Sequence, residues 1–431
     1  MSFQCDITEH SDLNYIQFIL SLNDSMLQGM ISYLHLNEDP DAFRKDIQNK
    51  IPGRLLVQCQ IFHLIWKAFP PILFLLGTLG NTTAFCVLVQ RKLIRVSTYY
   101  YLAVLTCFDQ SILIIGLLRR WVDKTFGFSS ENNWLVCCQV FQFIGVATSL
   151  MSVWLIVVVT VERLIVIKLP LRVHSYVSIK KTKLIILSLF IITMTISSHF
   201  FETVTLNRRK NSKTLQMTTE SKNHSFLICD FKTEYATFAK IWTFLDAFLY
   251  SCLPLVLMIV MNVVIGHGIY QADRSRGEMI SMNSKDLRKT KSINSNKSTR
   301  TGNRIYGFTP RQAAPPLPNR ETRQLTIMLL VVSCTFLITT TPLVLLKFFI
   351  KLNLYRNSST SYITKLELVD TIFEMLMYTN HAINFLLYCA SGKKFRYHVK
   401  RFFESICCGK NHDVTTHYNR ITFIPHDQSI I

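Results

Sequence analysis

The stretch from Phe141 to Val161 carries no charged residue and is mostly apolar. That matches the ~20 residues a helix needs to cross a ~30 Å hydrocarbon core. An acid and a base, Glu162 and Arg163, follow at once, and Lys168 and Pro170 close the segment. An ionisable pair at the end of such a helix requires a partner or a solvated cavity, because burying either charge alone is costly.

Similar blocks recur along all 431 residues. The chain is 49% hydrophobic and 17% charged, against roughly 25% charged in an average soluble protein. Apolar residues gathered in long blocks predict a polytopic membrane protein. The net charge of +20 comes mostly from loops between blocks, which points to an anionic bilayer surface as partner and not to nucleic acid. The short apolar patch Tyr15 to Leu20 follows Asp6, Glu9 and Asp12 and lacks a basic lead-in, so the first span is expected to act as its own insertion signal. Twelve cysteines do not make a disulfide scaffold in a chain this long.

The organisation reads as a polar, mildly acidic tail over residues 1–60, a membrane domain over 61–408 and a second tail over 409–431. Spans are expected near Leu64–Val89, Thr98–Trp121, Trp134–Lys168, Leu184–Val204, Ala236–His267, Thr322–Phe349 and Tyr362–Cys389. The fold class is therefore an all-α membrane protein, a seven-transmembrane helix bundle. Residues 271–321 are too hydrophilic to pack and are expected to be a disordered loop. Arg91, Lys92 and Arg95 set the first short loop inside and the N-terminus outside. Sequons at Asn23, Asn223 and Asn357 fall on the outer side, as glycosylation requires. Arg208, Arg209 and Lys210 run against the charge rule there. After Gly392, apolar residues recur at helical spacing among basic ones, predicting a short amphipathic eighth helix on the inner leaflet. Cys407 and Cys408 follow it as palmitoylation candidates.

Marker residues stand one to a span in sequence order: Asn81, Asp109, Glu162-Arg163-Leu164, Pro254, Pro342, and the run Asn384-Phe-Leu-Leu-Tyr388, with none in the fourth span. A carboxylate in mid-membrane, as at Asp109, marks function by default. This series resembles the rhodopsin-like (class A) G-protein-coupled receptors over about residues 64–408. The resemblance implies that Arg163 meets a heterotrimeric G-protein and is held at rest by Glu162, that Pro342 and Asn384 belong to the switch, and that Tyr388 swings inward on activation. It implies a polar cavity for a structural sodium ion at Asp109, Ser152, Asn380 and Asn384, and no other cofactor. It implies a disulfide from the start of the third span to Cys229; Cys138 stands at the family's spacing before Arg163, with Cys137 beside it. The chain departs from the family at Leu164, Asn262, Thr340 and Phe385, where Tyr, Tyr, Trp and Pro are usual, and its fourth span has no Trp.

Gly145 stands where amine receptors carry an acid, and Tyr378 where opsins carry the retinal lysine. What remains at the outer helix ends is Arg119, Arg120, Trp121, Gln142, Trp242, Asp246, Lys347 and Glu374. A mixed-charge mouth suits an extracellular peptide, and Asp246 or Glu374 is placed to pair with a ligand arginine. The outer end of the second span and the Asn380-to-Cys389 run resemble invertebrate neuropeptide receptors of the FMRFamide and myosuppressin type. The alternatives are a diverged receptor for a non-peptide ligand, or a transporter or channel. Against the last, the chain has no internal repeat and Asp109 is its one deeply placed acid. A membrane enzyme is disfavoured because His63, His199, His267 and His381 lie on different spans and depths.

Overall fold

The computed structural model describes residues 53–126, 130–210, 225–294, 320–351 and 360–408. The sequons at Asn23, Asn223 and Asn357 and the tail 409–431 lie outside these residues. Seven long helices and one shorter one follow in series. They are α1 (Gly53–Leu88), α2 (Ser97–Phe126), α3 (Leu135–Lys168) and α4 (Ile179–Thr203). Then come α5 (Ala236–Ala247, Phe248–Cys252 and Leu253–Asn294 end to end), α6 (Arg320–Lys351), α7 (Thr360–Ser391) and α8 (Lys393–Cys408).

Helices α1 to α6 are each long and apolar enough to cross a membrane. Helix α7 is as long, but Glu374, Asn380, His381 and Asn384 interrupt its apolar run. Packing fixes its place: it lies against α1 and α6 and also meets α2. Helix α3 is the hub, with α2, α4, α5 and α6 all packed on it. Most of the apolar middle of α3 is buried and most of that of α4 is not. Large apolar side chains such as Leu79, Ile191, Val263, Ile338 and Leu386 face outward. A belt of that kind fits hydrocarbon as the surrounding medium. This is the seven-helix bundle that the sequence predicts.

Bare backbone lets α1 approach α7. A Cβ on Gly77 would lie 3.0 Å from the Ala382 side chain, and one on Gly80 would lie 3.2 Å from Phe385. Helix α5 widens into a looser turn over Phe248–Cys252, just ahead of Pro254. The proline ring cannot approach the carbonyl four residues back, which is Tyr250, so the preceding turn opens. Helix α2 loosens similarly over Leu113–Leu118, where no proline is present.

Two features differ from the sequence reading. The chain between α4 and α5 is not plain loop: β1 (Val204–Lys210) and β2 (Ser225–Phe231) pair antiparallel, with Leu206 opposite Cys229. Residues 271–294, part of the segment expected to be disordered, continue α5 as helix. They contain no proline, and extending an existing helix costs far less than nucleating one. Residues 295–319 lie outside the described part.

Candidate functional site

A line of buried polar groups runs through the bundle, from the disulfide end to the end that carries Arg163. At its centre Asp109, on α2, is fully buried. Its Oδ1 accepts hydrogen bonds from Ser152 Oγ on α3 at 2.9 Å and from His381 Nδ1 on α7 at 2.8 Å. Its Oδ2 accepts from Asn384 Nδ2 at 2.6 Å. Asn81 Nδ2 on α1 donates to the backbone carbonyl of His381 at 3.1 Å. Four helices are thus joined around one side chain, and a hydrogen bond to a charged group is worth roughly 1.5–3 kcal/mol. Asn380 is buried beside them, and its Oδ1 has no hydrogen-bond partner among the described residues. Of the four residues that the family resemblance sets around a sodium ion, Ser152 and Asn384 bond to Asp109 and Asn380 does not; His381, which was not among them, does. The signal was present: His381 stands three residues before Asn384, one turn along the same helix face.

Glu162 and Arg163 form the second group, at the far end of α3. Both are buried. Arg163 Nη2 lies 2.7 Å from Glu162 Oε1 and also contacts Thr98 Oγ1. Thr98 donates to Glu162 Oε1 at 2.5 Å, and Ser97 donates to Oε2. Thr182 Oγ1 of α4 lies 2.5 Å from Ser97 Oγ. The pair is therefore held by hydroxyls of α2, with α4 behind them. Helix α6 is tied elsewhere: Arg323 reaches Asp273 of α5 at 2.6 Å, and Ser333 donates to Asn262 of α5 at 3.0 Å. Tyr388 is wholly buried on α7, edge-on to Phe395 of α8, with its ring centre 5.6 Å away. Pro342 lies inside α6 behind Thr339 and Thr341, whose hydroxyls bond to carbonyls one turn back.

The third group is at the disulfide end. Cys138, not Cys137, bridges to Cys229, with Cα atoms 5.6 Å apart. The bridge fastens the hairpin to α3, and the Cys229 amide also donates to Asn132 Oδ1 at 2.8 Å. Beside it, ion pairs cross between helices. Arg120 of α2 pairs with Glu374 of α7, and Lys347 of α6 pairs with Asp370 of α7 at 2.6 Å. Asp370 is one turn from Glu374 and was not singled out from sequence. The other expected mouth residues scatter. Arg119 pairs with Glu131 at 2.8 Å and with Asp123, and it lies over the Phe141 ring. Trp121 Nε1 donates to the Lys67 carbonyl of α1 at 3.4 Å. Trp242 is buried in an aromatic cluster with His199, Phe200 and Phe238 between α4 and α5. Gln142 and Asp246 are half-buried on α3 and α5.

Gly145 lies two turns from Ser152 on the same face of α3, so a side chain there would project into the bundle. A Cβ built on it meets nothing within 4 Å, which leaves open space above the polar line.

A seven-helix membrane bundle with a polar spine, a buried acid–arginine pair at one end and a disulfide-tethered hairpin at the other defines a seven-transmembrane receptor. The chain matches the seven-transmembrane receptor (rhodopsin) family over residues 80–388 and belongs to it. It is a G-protein-coupled receptor of the plasma membrane, and the family is one of receptors, not of enzymes. Among curated relatives it is 24% identical over 210 residues to the growth hormone secretagogue receptor type 1 of Oryctolagus cuniculus, covering 48% of this chain and 53% of that one. It is 26% identical over 152 residues to the Gq-coupled rhodopsin of Mizuhopecten yessoensis, covering 31% of this chain and 30% of the other. For the Homo sapiens growth hormone secretagogue receptor type 1 the figures are 28% over 117 residues, 26% and 31%. The chain spans about half or less of the length of these relatives.

Proposed function

We propose that this receptor is activated by an extracellular peptide, of the kind that invertebrate neuropeptide receptors bind, and passes the signal to a heterotrimeric G-protein. The disulfide end faces outward and the Arg163 end inward. The observation that carries the reading is the arrangement at α7. Glu374 and Asp370 hold cations from α2 and α6 on either side, and Gly145 leaves room beneath. A peptide carrying an arginine would compete with Arg120 for Glu374 and so pull on α2 and α7 together. Those two helices share Asp109, which links the mouth to the spine. At the inner end, Arg163 must leave Glu162 and Thr98 to meet a partner, and Tyr388 would move with α7. The match to a rhodopsin does not bring retinal with it, because Tyr378 supplies no amine for a Schiff base. A growth hormone secretagogue receptor among the relatives is in keeping with a non-retinal ligand.

The test is a second-messenger assay in cells expressing the receptor, challenged with amidated basic peptides. At least one should evoke a response, and Glu374→Gln should raise its half-maximal concentration about tenfold, the equivalent of ~1.4 kcal/mol. Gly145→Trp should abolish the response while surface expression persists. Silence towards every peptide, with the receptor confirmed at the surface, would reject the peptide reading.

A further inference from the structure

A carboxylate that holds a small cation must offer it free oxygen lone pairs, with more oxygens on the ion's other sides. Asp109 offers at most one. An ionised carboxylate has about four acceptor sites, and three at Asp109 are taken by Ser152, His381 and Asn384. With Asp109 as a carboxylate, which only accepts, His381 Nδ1 bears the shared hydrogen. An N–H thus points at the carboxylate where a metal ion would have to sit. The imidazole is hemmed in. It is 1% exposed, its carbonyl holds Asn81, and its neighbour Ala382 is pressed against Gly77. Two features favour a cation: Oδ1 of Asn380 and Oδ1 of Asn384 have no hydrogen-bond partner among the described residues. Both are neutral oxygens, and the carboxylate that would retain the ion is already met by donors at three of its acceptor sites.

We propose that the His381 side chain, seated on Asp109 between α2 and α7, stands in for the sodium ion implied by the receptor family and makes this receptor insensitive to sodium. The bundle is closed by its own donor instead of by a bound ion. Shortening His381 would reopen the cavity: His381→Ser removes the ring, adds a hydroxyl oxygen and leaves Asp109, Ser152, Asn380 and Asn384 around a space.

The experiment compares the melting temperature of the purified receptor in sodium, potassium and N-methylglucamine chloride, each at about 0.15 M. The wild type should melt at the same temperature in all three. His381→Ser should melt lower overall, yet gain about 2 °C or more in sodium over potassium, since an ion that binds only the folded state stabilises it. If that variant does not fold, His381→Asn serves as the second opening of the site. A sodium-specific rise in the wild type, lost in Asp109→Asn, would overturn the proposal. Flat profiles for the wild type and both variants would overturn it too, because His381 would then not be what keeps the ion out.

Discussion

Thr98 has one hydroxyl and two charged neighbours. It donates to Glu162 and accepts from Arg163, so it completes both halves of a buried pair at once. Removing one member of such a group leaves the rest unsatisfied, at a cost of about 1–3 kcal/mol. Thr98→Val should therefore free Arg163 and raise basal second-messenger output about tenfold at equal surface expression. Thr98→Ser keeps the hydroxyl and should stay near wild type. Unchanged basal output in Thr98→Val would show that the hydroxyl does not restrain Arg163. The same bookkeeping applies at Asp109, where three donors meet one carboxylate. There the donors come from two neighbouring helices, so the group ties elements together in addition to keeping a charge satisfied.

Two polar contacts join the packing of Phe395 on Tyr388 in setting helix α8. Arg396 Nη1 donates to the carbonyls of Cys389 and Ala390 at 2.6 and 2.9 Å, satisfying the open end of α7 with a cation where the helix dipole favours one. His398 packs inward, with its Nδ1 3.2 Å from Gln90 Oε1 in the first loop. Burial, and then Lys394, Lys92 and Arg401, hold the His398 imidazole below its ordinary range. Its neutral form is therefore the one that docks. The folded value lies below the unfolded one, so this contribution is complete above about pH 6.5 and fades as pH falls through the folded value. Hydrogen exchange in α8 should accelerate between pH 7.5 and 5.5 relative to α1, and His398→Gln should flatten the difference. Equal pH profiles for α8 and α1 in the wild type would refute this. Cys407, a lipidation candidate, is exposed at the end of α8.

At the scale of the molecule, the disulfide decides how the mouth is built. Cys138 and Cys229 are 91 residues apart, and closing a loop that long removes up to about 4.6 kcal/mol of unfolded-chain entropy. The bridge also holds the hairpin beside the Arg119 and Arg120 region. Cys229→Ser should lower the melting temperature by several degrees and weaken peptide response. Cys137→Ser, one residue from the bridge, should leave melting unchanged to within about 0.5 kcal/mol. A matched loss in both variants would mean that Cys137, and not Cys138, is the partner of Cys229 in solution.

The sequence alone determined the spans, the helical class and the presence of a buried acid at Asp109; that Ser152, Asn380 and Asn384 belong with it was implied only by the family resemblance. Hydrocarbon thickness imposes a one-dimensional rule on the chain, and a charge inside an apolar block is visible without coordinates. Tertiary structure decided which polar side chains meet. His381, Ser97, Thr98 and Asp370 look ordinary in isolation, and their roles depend on how each helix is rotated about its axis against its neighbours. Trp242 shows the reverse: an aromatic at an outer helix end turned towards α4 and not into the charged mouth. The hairpin likewise has no strong local signal. It is held by its own ladder and by a cysteine on α3, and pairing between distant segments is set by which surfaces the packed bundle brings within reach.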